Sequence, residues 1–500
     1  MAGLLRIVER DEGGRVHSSE HGNGNGGNVL QRRAPSNPLP AHVRLVDFAA
    51  KVFLPAGYPA SVSPDYLRYA PTSPPPLPKF MPAYRYQIFN ALQAFCSALA
   101  GLLSSRALLE VFGVGDANAS ATHALLLSVL QDFFGRVTTI CAAYALGSAL
   151  APEAKTFRLL ADVANDGAIV LDTLTPLLLA QLPGARVAAL CLSGALRALC
   201  AIAAGGSKAA LTMHFATPVK GTGDIGDLNA KDGSKETVLA LLGMLAGSLL
   251  LPHLTTTWST HAALFALVGL HLALNYVGIR GVIMRTLNRQ RMTIAWDLYR
   301  ESGDTEVAPP LEVARSERII TWSPGALREL RTDSVAGRCT VGSALSAVLG
   351  PSGAIPVPLL EQMRGERYVL WFDRASLVAP DVCAGQLHLH ICLREGYASV
   401  DQFKAWAHAV EVGRMVLLQR RRTTPGLDPP PTPAELVLAA YRRVDERFAA
   451  FLRGMGDKGW NTAEAALLAG VPRALIVSLD ASVTDDGDQG VVSEEARKDR

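Results

Sequence analysis

The chain has 500 residues, 49% of them hydrophobic and 19% charged, with a net charge of +3 and a mean hydropathy of +0.20. So small a positive excess, with no stripe of Lys and Arg interleaved with aromatics, excludes nucleic acid as a partner. The seven cysteines contain no C-x-x-C pair, which argues against a disulfide framework and reads as reduced packing thiols.

The first residues, MAGLLRIVERDEGG, turn charged too soon for a secretory signal, and residues 13–40 are rich in Gly, Asn, Ser and Pro with little to bury. Residues 1–44 are therefore predicted to be a disordered tail. A polyproline stretch at Pro71 to Pro78 reads as an extended linker or insertion. From Thr237 to Ile279 the chain then runs without one Asp, Glu, Lys or Arg, and Pro252 with His253 splits that run in two. A bilayer core of about 30 Å takes roughly 20 helical residues, so 237–254 and 260–279 each have the length of a spanning helix. Four weaker candidates precede them, at 88–109, 121–150, 168–182 and 186–204, interrupted by Arg106, by Asp132 with Arg136, by Asp172 and by Arg197.

The positive charge of the loops alternates along these six candidates. Arg68, Lys79, Arg85, Lys155, Arg158, Lys208, Lys220, Lys231, Lys235 and Arg280 to Arg291 all fall on one side. The positive-inside rule then places both termini in the cytoplasm and requires an even number of crossings. Asn118-Ala119-Ser120 is a formal glycosylation sequon too close to the expected membrane surface to be used.

Polar residues inside these segments are the candidate functional groups. Asp162 and Asp166 are one helical turn apart with Asn165 adjacent, and Arg158 can pair with Asp162 at i,i+4. Asp132 and Arg136 share that spacing within an apolar segment, where pairing across the bundle is expected. His271 and Asn275 lie on one face of the last crossing. The polar block from Gly205 to Val238, read as a solvated loop, holds Lys208, Lys231 and Lys235 with Asp224, Asp227, Asp232 and Glu236, a set suited to a phosphate or carboxylate at the membrane face, and His214 is a further candidate there. Its literal G-x-G-x-x-G, at Gly221, Gly223 and Gly226, lacks the βαβ setting of a dinucleotide site. Gly243 and Gly247 form a G-x-x-x-G for close helix packing, within the bundle or between protomers.

Residues 310–475 read as soluble protein. RYVLWFD and QLHLHICLRE alternate as strands do, Ser399 with Gln402 is a capping box opening a helix through Val416, and another helix covers about Pro433 to Arg453. His388 and His390 share a strand face with Cys383 and Cys392 nearby, but the spacing matches no zinc pattern, so no metal site is assigned. No cofactor site and no nucleophile with its base stands out, and the chain is read as acting without catalysis. Residues 480–500 are polar and read as a second disordered tail.

Several strings taken in order resemble the root UVB sensitive (RUS) family. They begin with FLPAGYPASVSPDYLRY at Phe53, continue through YQIFNALQAFCSALAGLLSSRALLEVFGVGDANAS, QDFFGR, KTFRLLADVANDGAIVLDTLTP and AKDGSKET, and end with HLALNYVGIRGVIMRTLNRQR. A weaker likeness in LHLHICLREGYASVDQFKAWAHAV and FLRGMGDKGW extends it to Trp460. The polyproline insertion, Lys208 where an Arg is usual, and extra residues around Gly221 depart from the pattern. The resemblance implies a helical membrane-associated protein, with plant members tied to ultraviolet-B response, early seedling development, auxin transport and vitamin B6 homeostasis. No catalytic residue carries over from it.

The expected fold is mainly α: a polytopic helical membrane bundle over residues 45–300, followed by a small α+β domain on the cytoplasmic side. Two functional classes stay open. In one, an integral membrane protein binds or transports a small anionic metabolite through Asp162, Asn165, Asp166, Lys208, His214, Lys231, His271 and Asn275. In the other it is a membrane scaffold that recruits a soluble protein or a second copy of itself, and the charged residues only hold the bundle together.

Overall fold

The computed structural model describes residues 5–10, 16–24, 27–32, 41–66, 86–114, 120–178, 184–218, 222–320, 325–350, 353–378, 387–421 and 431–479. The sequon asparagine, the polyproline stretch, Gly221 and Cys383 lie outside them. The chain divides into two compact units, Met1–Pro324 with Arg453–Gly470, and Gly325–Leu452 with Val471–Arg500.

The first unit opens with strands β1 (Leu5–Arg10), β2 (Val16–Gly24) and β3 (Gly27–Arg32), an antiparallel ribbon that pairs only with itself. A Gly- and Asn-rich ribbon of this kind is marginal in water. This fits the reading of residues 1–44 as a tail with little to bury, and among the described residues the three strands pair only with one another. Helix α1 (Ala41–Phe53) follows, and then the bundle: α2 (Tyr86–Val111), α3 (Ala121–Leu146), α4 (Ala154–Leu178), α5 (Ala185–Phe215), α6 (Ile225–Leu250) and α7 (Thr257–Arg280).

Five of these helices, α2, α3, α5, α6 and α7, are long and apolar enough to cross a membrane. The expected third crossing at 168–182 is not among them. It is the second half of α4, which starts at Ala154 and carries Lys155, Arg158, Asp162 and Asp166 at one-turn intervals, with Asp172 further on. All five of those side chains are buried, because α4 packs against α2, α5 and α7 with the apolar helices around it. Large apolar side chains point outward instead, among them Leu125, Val129 and Ile140 on α3, Leu241, Leu245 and Leu249 on α6, and Phe265 on α7. Polar inside and apolar outside is the reverse of a soluble helical protein. Asp132 and Arg136 do not pair across the bundle. They pair with each other at 3.1 Å on the outer face of α3, with side chains 70% and 79% exposed, because α3 packs mainly on α5 and turns this face away.

The block from Gly205 to Val238 is mostly helix, not loop. α5 runs on to Phe215 and α6 starts at Ile225, where the Asp224 carboxylate accepts the N–H groups of Gly226 and Asp227 at 2.8 and 3.1 Å. This is N-capping. A Cβ on Gly223 would lie 2.3 Å from the Ser61 carbonyl oxygen, so that glycine serves a close backbone approach and the next one opens a helix. The G-x-x-x-G of α6 acts within the bundle: a Cβ on Gly243 would lie 2.7 Å from the Phe95 carbonyl oxygen, and one on Gly247 2.4 Å from Leu102 Cδ1, both on α2. Gly243→Val is expected to push α6 off α2 and cost about 1–3 kcal/mol. Gly269→Ala, with nothing within 4 Å of the new methyl, should be neutral or stabilise by up to about 1 kcal/mol through helix propensity. Thermal unfolding of the two variants in detergent checks the opposite signs.

After α7 come β4 (Thr286–Asn288), α8 (Arg289–Glu301) and α9 (Pro310–Ser316). Here Glu317 is buried between Lys155 Nζ at 2.5 Å and Arg291 Nη1 at 2.8 Å.

The second unit contains β5 (Ala326–Arg328), β6 (Val335–Val341), α10 (Leu345–Leu349), α11 (Val357–Gln362), β7 (Tyr368–Phe372), α12 (Arg374–Val378), β8 (Leu387–Leu393), α13 (Ser399–Arg421) and most of α14 (Pro433–Asp457), whose residues 453–457 belong to the first. Its sheet has the order β5-β6-β8-β7, with β6 and β8 parallel and the outer pairs antiparallel. The apolar positions of β6 and β8, among them Cys339, Val341, Leu389 and Ile391, are buried, and α13 packs on the sheet with Phe403, Trp406 and Val410 also buried. α13 runs to Arg421 rather than stopping at Val416, and at its start the Asp401 carboxylate accepts the Ala398 N–H at 2.8 Å. Strand β9 (Asn461–Ala466) then pairs parallel with β4 in the first unit. The soluble-looking range 310–475 is therefore split, since 310–324 and 453–470 fold with the bundle.

Candidate functional site

Three helices present polar residues at helical spacing toward one another: α4 with Arg158, Asp162 and Asp166, α7 with His271 and Asn275, and α2 with Asn90, Gln93 and Ser97. His271 Nδ1 lies 2.7 Å from Asp166 Oδ2, and its Nε2 lies 2.7 Å from Gln93 Oε1. Gln93 donates to Asn90 Oδ1 at 3.2 Å, Asn90 donates to Glu236 Oε1 at 2.8 Å, and Lys208 Nζ donates to Glu236 Oε2 at 2.8 Å. A continuous chain of hydrogen bonds thus links α4, α7, α2, α6 and α5. Both nitrogens of His271 thus face oxygens at hydrogen-bond distance. Arg158 adds a bond to Asn90 Oδ1 at 3.3 Å and lies 4.0 Å from Asp162. Asn165 is tied aside, donating to Ser97 Oγ at 3.2 Å.

Three acidic side chains, Asp162, Asp166 and Glu236, lie here among Arg158, Lys208 and His271. The void beside Arg158, Lys208 and Glu236 is about 10 Å³, room for a single water. No metabolite fits there. Of the expected site residues, the network joins Asp166, His271 and Lys208, with Asp162 beside Arg158. Asn275 is buried nearby, and its Nδ2, like Asp162 Oδ2 and Asp166 Oδ1, has no hydrogen-bond partner among the described residues. Lys231 stands apart on the surface and donates to the Lys51 carbonyl oxygen at 2.7 Å. The sequence reading missed Asn90 and Gln93, whose i,i+3 spacing inside an apolar run was the available signal.

His214 belongs to a different place. Its Nε2 lies 3.0 Å from Asp65 Oδ2, and Asp65 also takes the Ser63 hydroxyl and, at 2.8 Å, the Ile283 N–H. Burial alone pushes the Asp65 pKa up, but His214 and these donors outweigh it and hold the carboxyl below its ordinary range. The next residue, Tyr66, donates to Asp232 at 2.5 Å and sets its ring edge-on to Phe215 at 5.5 Å, which anchors the segment before α2 onto α5 and α6.

Next to His214 is a cavity of about 670 Å³ within the first unit. Met213, Met284 and Trp460 give it apolar walls, and His214, Arg285 and Glu464 bring polar groups to it. Trp460 is fixed by its Nε1 donating to the Ala308 carbonyl oxygen at 2.9 Å. Arg285 donates to the Thr217 carbonyl oxygen, while its Nε is buried without a partner among the described residues. Burial lowers the Arg285 pKa and the Asp65 charge works the other way. An aromatic wall and a guanidinium with one N–H unspent suit a small anion with a flat face.

Residues 40–303 match the family described as the vitamin B6 photo-protection and homoeostasis domain, and residues 381–470 match the C-terminal region of the root UVB sensitive protein. The chain belongs to the root UVB sensitive family. RUS family member 1 of Dictyostelium discoideum is 30% identical over 273 residues, 54% of this chain and 47% of that protein. Protein root UVB sensitive 3 of Arabidopsis thaliana is 29% identical over 299 residues, 60% of this chain and 62% of its own length. The chain thus spans about half of the first relative and under two thirds of the second. Protein root UVB sensitive 2, chloroplastic, also of Arabidopsis thaliana, is 24% identical over 438 residues and covers 87% of this chain and 86% of its own. No solved structure matches. The first family match ends two residues beyond α8, and it contains the polar network and most of the cavity wall; Trp460 and Glu464 fall in the second.

Proposed function

We propose that this RUS-family chain is a polytopic membrane protein that binds a small anionic metabolite, without catalysis, in the cavity between His214, Arg285 and Trp460. The observation that carries the ligand reading is the cavity itself, about 670 Å³ with apolar walls and few convergent polar groups, as small-molecule sites are built. The membrane reading rests on five long apolar helices whose outward faces are apolar while the polar network is turned inward. Both termini face the cytoplasm in this reading, which requires α4 to cross with the other five. The polar network then holds the bundle together, and the anion sits at its edge rather than in its centre.

The matched domain description names vitamin B6, whose phosphorylated form is an anion on a flat pyridine ring, so pyridoxal 5′-phosphate is the probe. Equilibrium dialysis with the purified full chain in detergent should show saturable binding. Arg285→Ala should weaken it roughly 10- to 100-fold, the worth of one or two charge-assisted hydrogen bonds, and Lys231→Ala should leave it unchanged. No binding, or binding indifferent to both Arg285→Ala and Trp460→Ala, would defeat the proposal. The scaffold reading draws on the second unit having a core of its own around α13. If it holds, protein partners are lost on deleting that unit while any metabolite binding is not.

A further inference from the structure

The second unit contains a cluster that the proposed ligand site does not use. β8 alternates as a strand of period two must, with Leu387, Leu389 and Ile391 buried and His388 and His390 half-buried on the other face. The ladder with β7 sets Trp371 opposite His390 and Phe372 opposite Leu389, so the next residue, Asp373, falls beside His388, and its N–H donates to the His388 carbonyl oxygen at 2.9 Å. One ligand atom each from Asp373, His388 and His390 lie within 4.8 Å of one another.

Each of the three is held by a separate group. His388 Nε2 meets Thr340 Oγ1 at 2.9 Å, and its Nδ1 lies 3.3 Å from Asp373 Oδ2. His390 Nδ1 meets Ser343 Oγ at 2.7 Å, which leaves Nε2 as its remaining ligand atom. Asp373 Oδ1 accepts the Ser376 N–H at 2.8 Å and leaves Oδ2 for the cluster. Ring orientation by an outer hydroxyl or backbone group is how metal-binding histidines are set.

We propose that Asp373, His388 and His390 form a two-histidine, one-carboxylate site for a divalent first-row transition-metal ion such as Zn²⁺ or Co²⁺. Imidazole with carboxylate suits these ions better than Mg²⁺ or Ca²⁺, and bonds of about 2.0–2.2 Å need only a small side-chain closure from the present spacing. Two cations oppose an ion here: Arg338, whose Nη2 lies 3.5 Å from His388 Nδ1, and Arg473, whose charge bears on His390. The Asp373 carboxylate is the counterweight. Linear spacing hides the site because its third member, Asp373, follows the neighbouring strand.

The test is calorimetric titration of the chelator-stripped full chain in detergent with Co²⁺ and then Zn²⁺. One ion per chain is expected, with affinity falling at least 100-fold in His388→Ala and His390→Ala and rising in Arg338→Ala, where a repelling charge is gone. Circular dichroism melts of the same variants confirm that the second unit is folded. Absence of binding by the unaltered protein at micromolar metal would overturn the proposal, as would unchanged stoichiometry in a folded double variant.

Discussion

Replacing His271 by Leu is expected to lower the stability of the detergent-solubilised bundle by about 3–5 kcal/mol, because it leaves the Asp166 carboxylate buried without its partner. A neutral hydrogen bond between membrane helices is worth only about 0.6 kcal/mol on average, so losing the contact to Gln93 is a minor part. The stranded charge decides the outcome. Asp166 is 2% exposed and its Oδ1 already lacks a partner among the described residues, so no alternative pairing is at hand. The same reasoning fixes the double variant: Asp166→Leu with His271→Leu removes both members and should recover most of the loss. Thermal unfolding of the two single variants and the double variant measures the coupling, and strict additivity would show that the pair is not the unit of stability.

Glu317→Ala should be equally damaging. Lys155 and Arg291 are 5% and 3% exposed, and Glu317 takes a hydrogen bond from each. Its removal leaves two buried cations facing each other, again at a cost of about 3–5 kcal/mol. Burial by itself pushes the Glu317 pKa up, but Lys155 and Arg291 outweigh it and hold the folded value below the usual 4.5. A depressed carboxylate contributes stability that is complete above its unfolded pKa and is lost as pH falls through the folded one. The unaltered protein should therefore lose stability as pH drops below about 4.3, and Glu317→Gln should make that fall shallower. Unfolding midpoints recorded between neutral pH and about 3 test this; parallel curves for the two proteins would assign the acid sensitivity elsewhere.

The five apolar helices and the i,i+4 pairs were legible because hydropathy and helical spacing are local properties. His271 and Asn275 read correctly as one interior face for that reason, and so did Arg158 with Asp162. α4 was half-hidden, since its charges lower the apparent hydropathy of a helix in which Lys155, Asp166 and Asp172 meet Glu317, His271 and Arg197 far along the chain. The same effect concealed the ends of α5 and α6: Lys208 and Glu236 look solvated until each is seen to neutralise the other. Partner choice is a tertiary fact. Nothing near His214 in the chain indicates Asp65, and nothing in β8 indicates Asp373. The cavity was beyond reach because Trp460 and Glu464 return to the bundle after residues 325–452 of the second unit, through strands as short as β4.

The polar network, the close helix packing and the edge-bound anion all presuppose that lipid covers Leu241, Leu245 and Leu249 on α6 and Leu125 on α3. Nitroxide labels at Leu245 and Leu125, with the full chain in liposomes, measure this through power saturation against oxygen and a water-soluble nickel complex. High oxygen and low nickel accessibility at both positions is the expected result, with both low at Asn275 inside the bundle. Nickel accessibility at Leu245 and Leu125 equal to that of a soluble surface residue would contradict it.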